Sequence, residues 1–573
     1  MKNFKIFTTI LVVSVFITGC AGLKKMIKDY NTVRFDTTPK VLETNGGKIA
    51  VEVKGKIPPK YFHKKAIVDF TPELRYEGGS TTLKSITLKG EKALGDGVMI
   101  IKQTGGSFTY NDIIDYKPDM NKSELGVVLK AKLKPDQELV ELGSTKLADG
   151  VIYTSERIGK DGDIYLAKHE YVKETILSEK ANIYFEYNKY NFNTKLPLNK
   201  DQENSEKLKT LCDFIDKGWK IKNIDINAWA SPEGEETLNA KLSENRSNTA
   251  DKYLKNKIKK IIKETEEEIL FNIVAKGEDF EGFMKALNAS NIADKGAIKN
   301  VIESSATRYE REQKIKDMTV IYQEIEDMLS VLRRSEISVY CYEPKKTDEE
   351  IATLSTSYPD SLDNKELLYA ATLTKDLNTK LKIYTAATTV YPDNWKGYNN
   401  AGYVSLELGN VDDAISFFEK ANTLSPNNGI ILNNLGVADA YKKDYENAQS
   451  YYESAEEKGI DEGYNKGVIL ITKGDYAGAL ASFGDKTCTY NIALAQLLSG
   501  NPNGASETLK CAPESAESFY LMAIAGSRSK NASMIYENLK KAIHKDPKYR
   551  EQAKDDREFI NYFDEADFQY SIK

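Results

Sequence analysis

The sequence predicts a multidomain chain with three fold classes in succession: an N-terminal all-β, sandwich-like module, a central α/β domain with a helical insertion, and a C-terminal all-α superhelix. Three observations carry this. From Lys48 to about Leu177, short apolar-polar alternations run between glycine turns, the signature of half-buried strands. At Ile224, Ile226 and Ala228 the same period continues, then gives way past one loop to helical spacing. Beyond residue 395 a set of small and aromatic residues returns at intervals of 34 positions, the mark of stacked helical units. A chain of 573 residues has ample length for several cores.

In chain order, the N-terminus reads as a targeting segment. Lys2 and Lys5 supply positive charge, and Ile6 to Ile17 form an apolar run too short to persist as a membrane span. The run ends in Ile17-Thr18-Gly19-Cys20, which resembles the lipobox of bacterial lipoproteins. That resemblance implies that Cys20 is acylated and becomes the new N-terminus, anchored by buried methylenes at about 0.8 kcal/mol each. Ala21 stands where the family's inner-membrane members carry Asp, and Leu23-Lys24-Lys25 lacks the acidic cluster that accompanies surface export. The expected location is therefore the outer membrane, facing the periplasm. Residues 1–20 are read as signal, 21–45 as a tether and 46–178 as the β-rich module. Gly78-Gly79, Gly95-Asp96-Gly97 and Gly105-Gly106 punctuate that module.

The central domain is read over residues 179–345. Its strand through Ile226 leads to Ser231-Pro232, a helix-start signal, although Gly234 allows the helix to begin a turn later. Leu238, Leu242, Thr249, Ala250 and Tyr253 form the expected buried stripe of the helix. Asn239, Ser243 and Arg246 share the neighbouring face, a row of amide, hydroxyl and guanidinium suited to a carboxylate. Asn239-x-x-Leu242-Ser243-x-x-Arg246, with the opening segment Ile183 to Asn188, resembles the OmpA-like peptidoglycan-binding domain. In that family an Asp and the helical Arg hold the diaminopimelate of the wall stem peptide. Arg246 matches the Arg, whereas Ser231 stands where the Asp is expected, and Arg333-Arg334 match a closing Arg pair. The resemblance thus implies Ser231, Asn239, Ser243, Arg246 and Arg333 as wall-binding candidates. The extra length between Leu254 and Leu332 implies the helical insertion.

A linker is expected over 346–360, then a repeat array over 361–550 and a tail over 551–573. Gly402, Ala414, Phe418 and Ala421 recur as Gly436, Ala448, Tyr452 and Ala455. That spacing resembles the tetratricopeptide repeat (TPR), with weaker copies at Gly467/Ala479/Phe483, Ala505/Leu509/Ala512, Leu539/Ala542/Pro547 and Tyr384/Ala387/Pro392. About six such units would stack into a superhelix whose groove holds a partner protein.

Catalytic chemistry finds no foothold. His63, His169 and His544 fall in different modules, and metal-ligand spacings, a nucleophile elbow and a P-loop are all absent from the sequence. No enzyme activity, metal or cofactor is expected, and a net charge of -6 argues against nucleic acid. With Cys20 acylated, Cys212, Cys341, Cys488 and Cys511 remain; they are either two disulfides, one per domain, or four buried thiols. The combined reading is a lipoprotein that tethers a partner complex, held in the array's groove, to the outer membrane and to peptidoglycan. The alternative is a structural or assembly component of a surface appendage, capsule or secretion apparatus, with the OmpA-like fold used for protein contact.

Overall fold

The structure, a computed structural model, describes residues 23–232, 235–259, 268–293, 295–304 and 322–573, together with 307, 310, 313, 314, 317 and 318. Cys20 and its signal segment lie outside the described residues. The chain forms two compact units, one comprising Met1–Lys168 with Thr374–Lys573, the other His169–Leu373.

In the first unit a helical turn, α1 (Lys24–Lys28), precedes the strands β1 (Arg34–Thr38), β2 (Val41–Asn45), β3 (Lys48–Ile57), β4 (Ile67–Phe70), β5 (Pro72–Tyr76), β6 (Gly79–Thr82), β7 (Ile86–Gly90), β8 (Val98–Ile100), β9 (Gly106–Asp115), β10 (Ser123–Lys132) and β11 (Val140–Ile152). They form a single 11-stranded sheet. Strict alternation in β3 buries Ile49, Val51 and Val53, and the strand pairs with β9 from Lys48↔Asp115 to Ile57↔Gly106. The rings of Phe70 and Phe108, with centroids 5.0 Å apart, sit in a core to which strands along the whole sheet contribute. The sequence led to one or two sandwich modules starting at residue 46. Instead residues 23–45 belong to this core, with Leu23, Met26 and Leu42 buried. Their inward positions include Thr37 and Thr44, so the hydrophobic alternation that would reveal them is diluted. The module also ends sooner, at Ile152.

The second unit begins its sheet with β12 (Ile176–Tyr184) and continues through α2 (Pro197–Lys200), α3 (Gln202–Asp216), β13 (Ile221–Ala230), α4 (Glu236–Lys257), β14 (Leu270–Glu278), α5 (Phe280–Ala289), α6 (Lys295–Glu303), α7 (Tyr322–Leu332) and β15 (Arg334–Tyr342). Strand order is β12-β15-β13-β14, with β13 and β14 parallel and the other pairs antiparallel. α4 begins at Glu236, a turn beyond Ser231-Pro232. The expected insertion is only partly helical. The fourth strand, β14, opens it, and α5 to α7 follow with their own small core around Phe283, Leu287, Ile298 and Ile325. The 346–360 linker is in fact a capped helix, α8 (Asp348–Ser357), in which Thr347 and Glu350 form a reciprocal capping box. α9 (Asn364–Ala370) follows and closes the unit.

The first unit resumes with α10 (Leu377–Val390), followed by five hairpins: α11 (Trp395–Glu407) with α12 (Val411–Leu424), α13 (Gly429–Tyr441) with α14 (Tyr445–Glu456), α15 (Gly463–Thr472) with α16 (Tyr476–Ser482), α17 (Tyr490–Leu498) with α18 (Pro502–Cys511), and α19 (Ala516–Arg528) with α20 (Ala532–Lys545). The repeat positions explain themselves. A Cβ at Gly402, Gly436 or Gly467 would lie 2.5–2.6 Å from the ring of Phe418, Tyr452 or Phe483, so only glycine admits the aromatic residue of the partner helix. Side chains of Asn428, Asp444, Asp475, Thr489, Asn501, Ser515 and Asn531 cap the starts of α13, α14 and α16 to α20. The predicted tail is no tail. α21 (Lys548–Asp555) and α22 (Ala566–Ser571) extend the array, and Phe559, Phe568 and Ile572 are buried in its core.

Candidate functional site

In the second unit, α4 packs its Asn239–Leu242–Ser243–Arg246 face inward against β13 and β14, so the polar row that the sequence offered to a ligand is buried. Leu238, expected in the buried stripe, is the residue turned out, at 46% exposure. Arg246, only 1% exposed, donates to the carbonyl oxygens of Lys189 (3.0 Å), Trp229 (2.9 Å) and Glu186 (3.3 Å), with its guanidinium 5.3 Å from the Phe185 ring centre. The Ser243 hydroxyl accepts from the Gly277 N–H, and Asn239 donates to Glu278. Arg333 donates to the Ser231 hydroxyl at 3.2 Å and pairs with Glu326 at 2.8 Å. Ser231, Asn239 and Arg246 do meet in one cleft with Tyr187, but its free volume is about 20 Å³, room for about one water molecule. Ser243 and Arg333 support this cleft from outside its lining. The loop after β12 and the end of β13 offer Arg246 main-chain carbonyls, which a donor-only guanidinium satisfies.

The thiols also resolve. Cys488 and Cys511 are bonded, with Cα atoms 5.0 Å apart, joining the loop before α17 to the end of α18. Cys212 and Cys341 do not pair: Cys341 is buried in the sheet core, while Cys212 sits on α3 and interacts with Tyr253 of α4.

The more consequential site is the groove of the array, and the sequence reading missed its content. After β11, residues 157–168 run as a strap, bent at Lys160, along the first helices of successive hairpins. One asparagine in each of the first four hairpins clamps the strap backbone at both polar groups. Asn491 accepts from the Gly159 N–H (2.8 Å) and donates to its carbonyl (3.0 Å). Asn465 does the same for Asp163 (2.8 and 3.1 Å), Asn434 for Tyr165 (2.9 and 2.8 Å), and Asn400 for Ala167 (2.7 and 3.0 Å). A second asparagine bridges neighbours: Asn399 donates to Tyr165 and Asn400, and Asn433 to Asp163 and Asn434. All six amides are buried. An amide carries both donor and acceptor, so it matches the paired N–H and C=O of a strand residue. Asp161 adds a carboxylate that accepts from the Tyr490 N–H at the start of α17 (3.0 Å), although burial raises its carboxyl above the ordinary range. At the end of the strap nearest the sheet, Arg157 pairs with Asp556 at 2.5 Å.

The groove predicted to hold a partner therefore holds the chain's own strap. The signal was present as Asn399-Asn400 and Asn433-Asn434, one 34-residue period apart and off the packing positions. A cavity of about 1200 Å³ remains beside the strap, with walls that include Tyr403, Tyr441, Tyr490 and Tyr549. Among the described residues no cluster of His, Cys, Asp or Glu could hold a metal ion, and no helix is long and apolar enough to cross a membrane.

The tetratricopeptide-repeat family model matches residues 396–428, the α11–α12 hairpin. No curated protein matches the chain. Among solved structures, the chain is similar to a tetratricopeptide repeat protein from Parabacteroides merdae, at 14% identity over 44% of this chain and 98% of that one, with a TM-score of 0.30. It is also similar to YrrB, described as a TPR protein with an unusual peptide-binding site (21% identity, 35% of this chain, 94% of that one, TM-score 0.21). PilW, a type IV pilus biogenesis factor, is a third (16% identity, 40% of this chain, all 100% of that one, TM-score 0.26).

Proposed function

We propose that the protein is a non-enzymatic, lipid-anchored scaffold of the bacterial outer membrane, in which the sheet and the repeat array act as one block that carries a partner complex. The anchor is Cys20, on the strength of Ile17-Thr18-Gly19-Cys20. The observation that carries the rest is the strap: asparagine clamps along the groove, and contacts such as Arg157 to Asp556, bind the array to the sheet module. Such a block presents a partner at fixed geometry rather than on a flexible arm.

The OmpA-like unit serves protein contact in this reading, as in a surface appendage, capsule or secretion apparatus. Arg246 engages three main-chain carbonyls, Ser231 carries no charge for an ammonium, and the cleft has space for about one water. A second reading, a wall tether, is favoured by one observation: Ser231, Asn239 and Arg246 still converge on one cleft. Fractionation separates the two. Cys20→Ser should release the protein from outer membranes, and purified sacculi should leave the wild type in the supernatant with Ser231→Asp making no difference. Retention on sacculi, strengthened by Ser231→Asp, selects the wall tether. Membrane attachment unchanged by Cys20→Ser removes the lipid anchor.

A further inference from the structure

The sheet of the first unit carries an apolar cluster at one edge. β8 ends the strand order, paired with β7, and the chain reaches it through the turn Gly95-Asp96-Gly97. Ile100 turns into the core, whereas Leu94, Val98, Met99 and Ile101 are exposed, Leu94 at 76% and Met99 at 56%. Large apolar side chains grouped at an exposed edge mark a contact surface. Lysines stand beside them. Residues 58–66 carry Lys60, Lys64 and Lys65 with no acidic residue. Main-chain hydrogen bonds from the Lys60 N–H to Lys102 and from the Lys92 N–H to Lys64, both 2.7 Å, join that loop to residues 92–102. Of the two carboxylates in residues 89–102, Glu91 and Asp96, the first accepts from the Lys102 N–H at 3.0 Å. The edge is thus locally basic in a chain of net charge -6. Burial, and then the charges of Lys102, Lys64 and Lys65, hold the His63 imidazole below its ordinary pKa, as expected where ammonium groups gather. The start of the described chain lies here too. The His63 N–H donates to the Met26 sulfur of α1 at 3.4 Å, and Leu23, just ahead of α1, follows Cys20 by three positions, a reach of at most about 11 Å.

We propose that this edge docks on an anionic lipid bilayer, with Leu94, Val98, Met99 and Ile101 entering the acyl boundary and the neighbouring lysines meeting lipid phosphates. An apolar tip flanked by ammonium groups matches the bilayer interface layer by layer. A protein partner fits less well, because lysine is depleted at protein–protein interfaces. A second copy fits less well still, since two such edges would bring like charges together. The role is orientation. Acyl chains on Cys20 hold the chain at the membrane and leave its tilt open, and a second contact fixes that tilt. The short reach from Cys20 keeps the edge concentrated at the surface, so a weak contact suffices. This rests on the reading of Cys20 as the lipid anchor.

The test uses residues 21–573, which keep every described residue and carry neither signal nor acyl chains. This protein is floated with vesicles of phosphatidylcholine, or of phosphatidylcholine and phosphatidylglycerol in equal parts. The expected result is partitioning about ten-fold stronger into the anionic vesicles, weakened by salt. Leu94→Asp with Met99→Asp, and Lys64→Glu with Lys92→Glu, should each lower it about ten-fold. Lys420→Glu with Lys458→Glu, the same charge change at exposed positions of the array, should not. The four edge positions are exposed, so the core stays intact, and where circular dichroism finds one pair unfolded the other decides. No flotation with anionic vesicles, or equal flotation of all variants, overturns the docking. A dimer in ultracentrifugation that Leu94→Asp with Met99→Asp dissolves, while vesicles float without protein, overturns it in favour of a second copy. Mass spectrometry of Cys20 from cell membranes judges the anchor separately. An unacylated Cys20 with vesicle binding intact removes the anchor and leaves the docking, and an acylated Cys20 without vesicle binding removes the docking alone.

Discussion

Arg246 and the asparagine ladder solve the same problem, holding main chain with buried side chains, by opposite means. Arg246 is one cation that gathers three carbonyls, two from the loop after β12 and one from the end of β13. Its fork has five donors and no acceptor, so it suits loops that present carbonyls and cannot hold a strand residue at both groups. Its charge must also be taken out of water, offset in part by the Phe185 ring. The ladder is neutral and repeated. Each amide meets one N–H and one C=O, and each hairpin from α11 to α17 adds one clamp. The charged solution concentrates risk in one residue. The neutral one distributes it over several.

The largest expected effect follows from that concentration. Arg246→Ala removes a donor from three carbonyls, of which Glu186 keeps the Lys189 N–H, and it also empties the space of a buried side chain. At about 1–3 kcal/mol for each buried group left unsatisfied, the loss is a sizeable part of the roughly 5–15 kcal/mol that holds a domain folded. Limited proteolysis should degrade residues 169–373 while residues 374–573 survive, and Arg246→Lys should not restore resistance, because an ammonium cannot span the three acceptors. A fully folded second unit in Arg246→Ala would return Arg246 to the role of a ligand-binding residue. Loss of sacculus binding on that substitution would not by itself identify a wall site.

The same contrast explains what the sequence disclosed. Packing is written in residue types, so Gly402 against Phe418 and Gly436 against Tyr452 stand out as a period and give the array. Alternation likewise gives β3 and β13. The direction a polar face turns is not written locally. Asn239, Ser243 and Arg246 share a face in any helix, and only the sheet beneath α4 decides that the face is buried. The strap was illegible for a related reason. Its residues Gly159 to Ala167 were read as part of the β-rich module, and their partners are more than 230 residues away in sequence, from Asn400 onward. Strands β1 and β2 were missed because threonine occupies their inward positions.

A smaller effect sharpens the view that neutrality serves the ladder. Glu462 is, beside Asp161, a charged exception: it is 1% exposed, accepts from Asn465 at 3.2 Å, and its Oε1 has no partner among the described residues. Burial pushes its carboxyl up to about 7. The folded state therefore retains a proton that the unfolded chain gives up near pH 4.5, so this residue's contribution is full below about 4.5 and is lost as pH rises to about 7. At about 1.4 kcal/mol per unit, the array should be roughly 3 kcal/mol less stable at pH 8 than at pH 4.5 from this residue alone. Glu462→Gln should raise the melting temperature of the first unit at pH 8 and flatten its decline between those values. An unchanged pH profile would mean that water reaches the carboxylate.

The smallest effect belongs to an exposed ion pair on the strap's rim. Lys486 pairs with Asp163, the residue whose backbone Asn465 clamps, and its ammonium lies 4.3 Å from the Tyr464 ring centre. The Lys486 side chain is 40% exposed, so water and salt screen the pair. Exposed pairs contribute about 0–1 kcal/mol, and an exposed cation–ring contact about as little. Lys486→Met keeps the aliphatic stem over Tyr464 and removes only the charge. It should lower first-unit stability by less than about 1 kcal/mol in denaturant titration at low salt, and by nothing measurable at high salt. If Lys486→Met instead frees the strap, so that protease cuts between Gly159 and Ala167, then the clamps do not hold it unaided. The neutral ladder would depend on the very charge it was expected to do without.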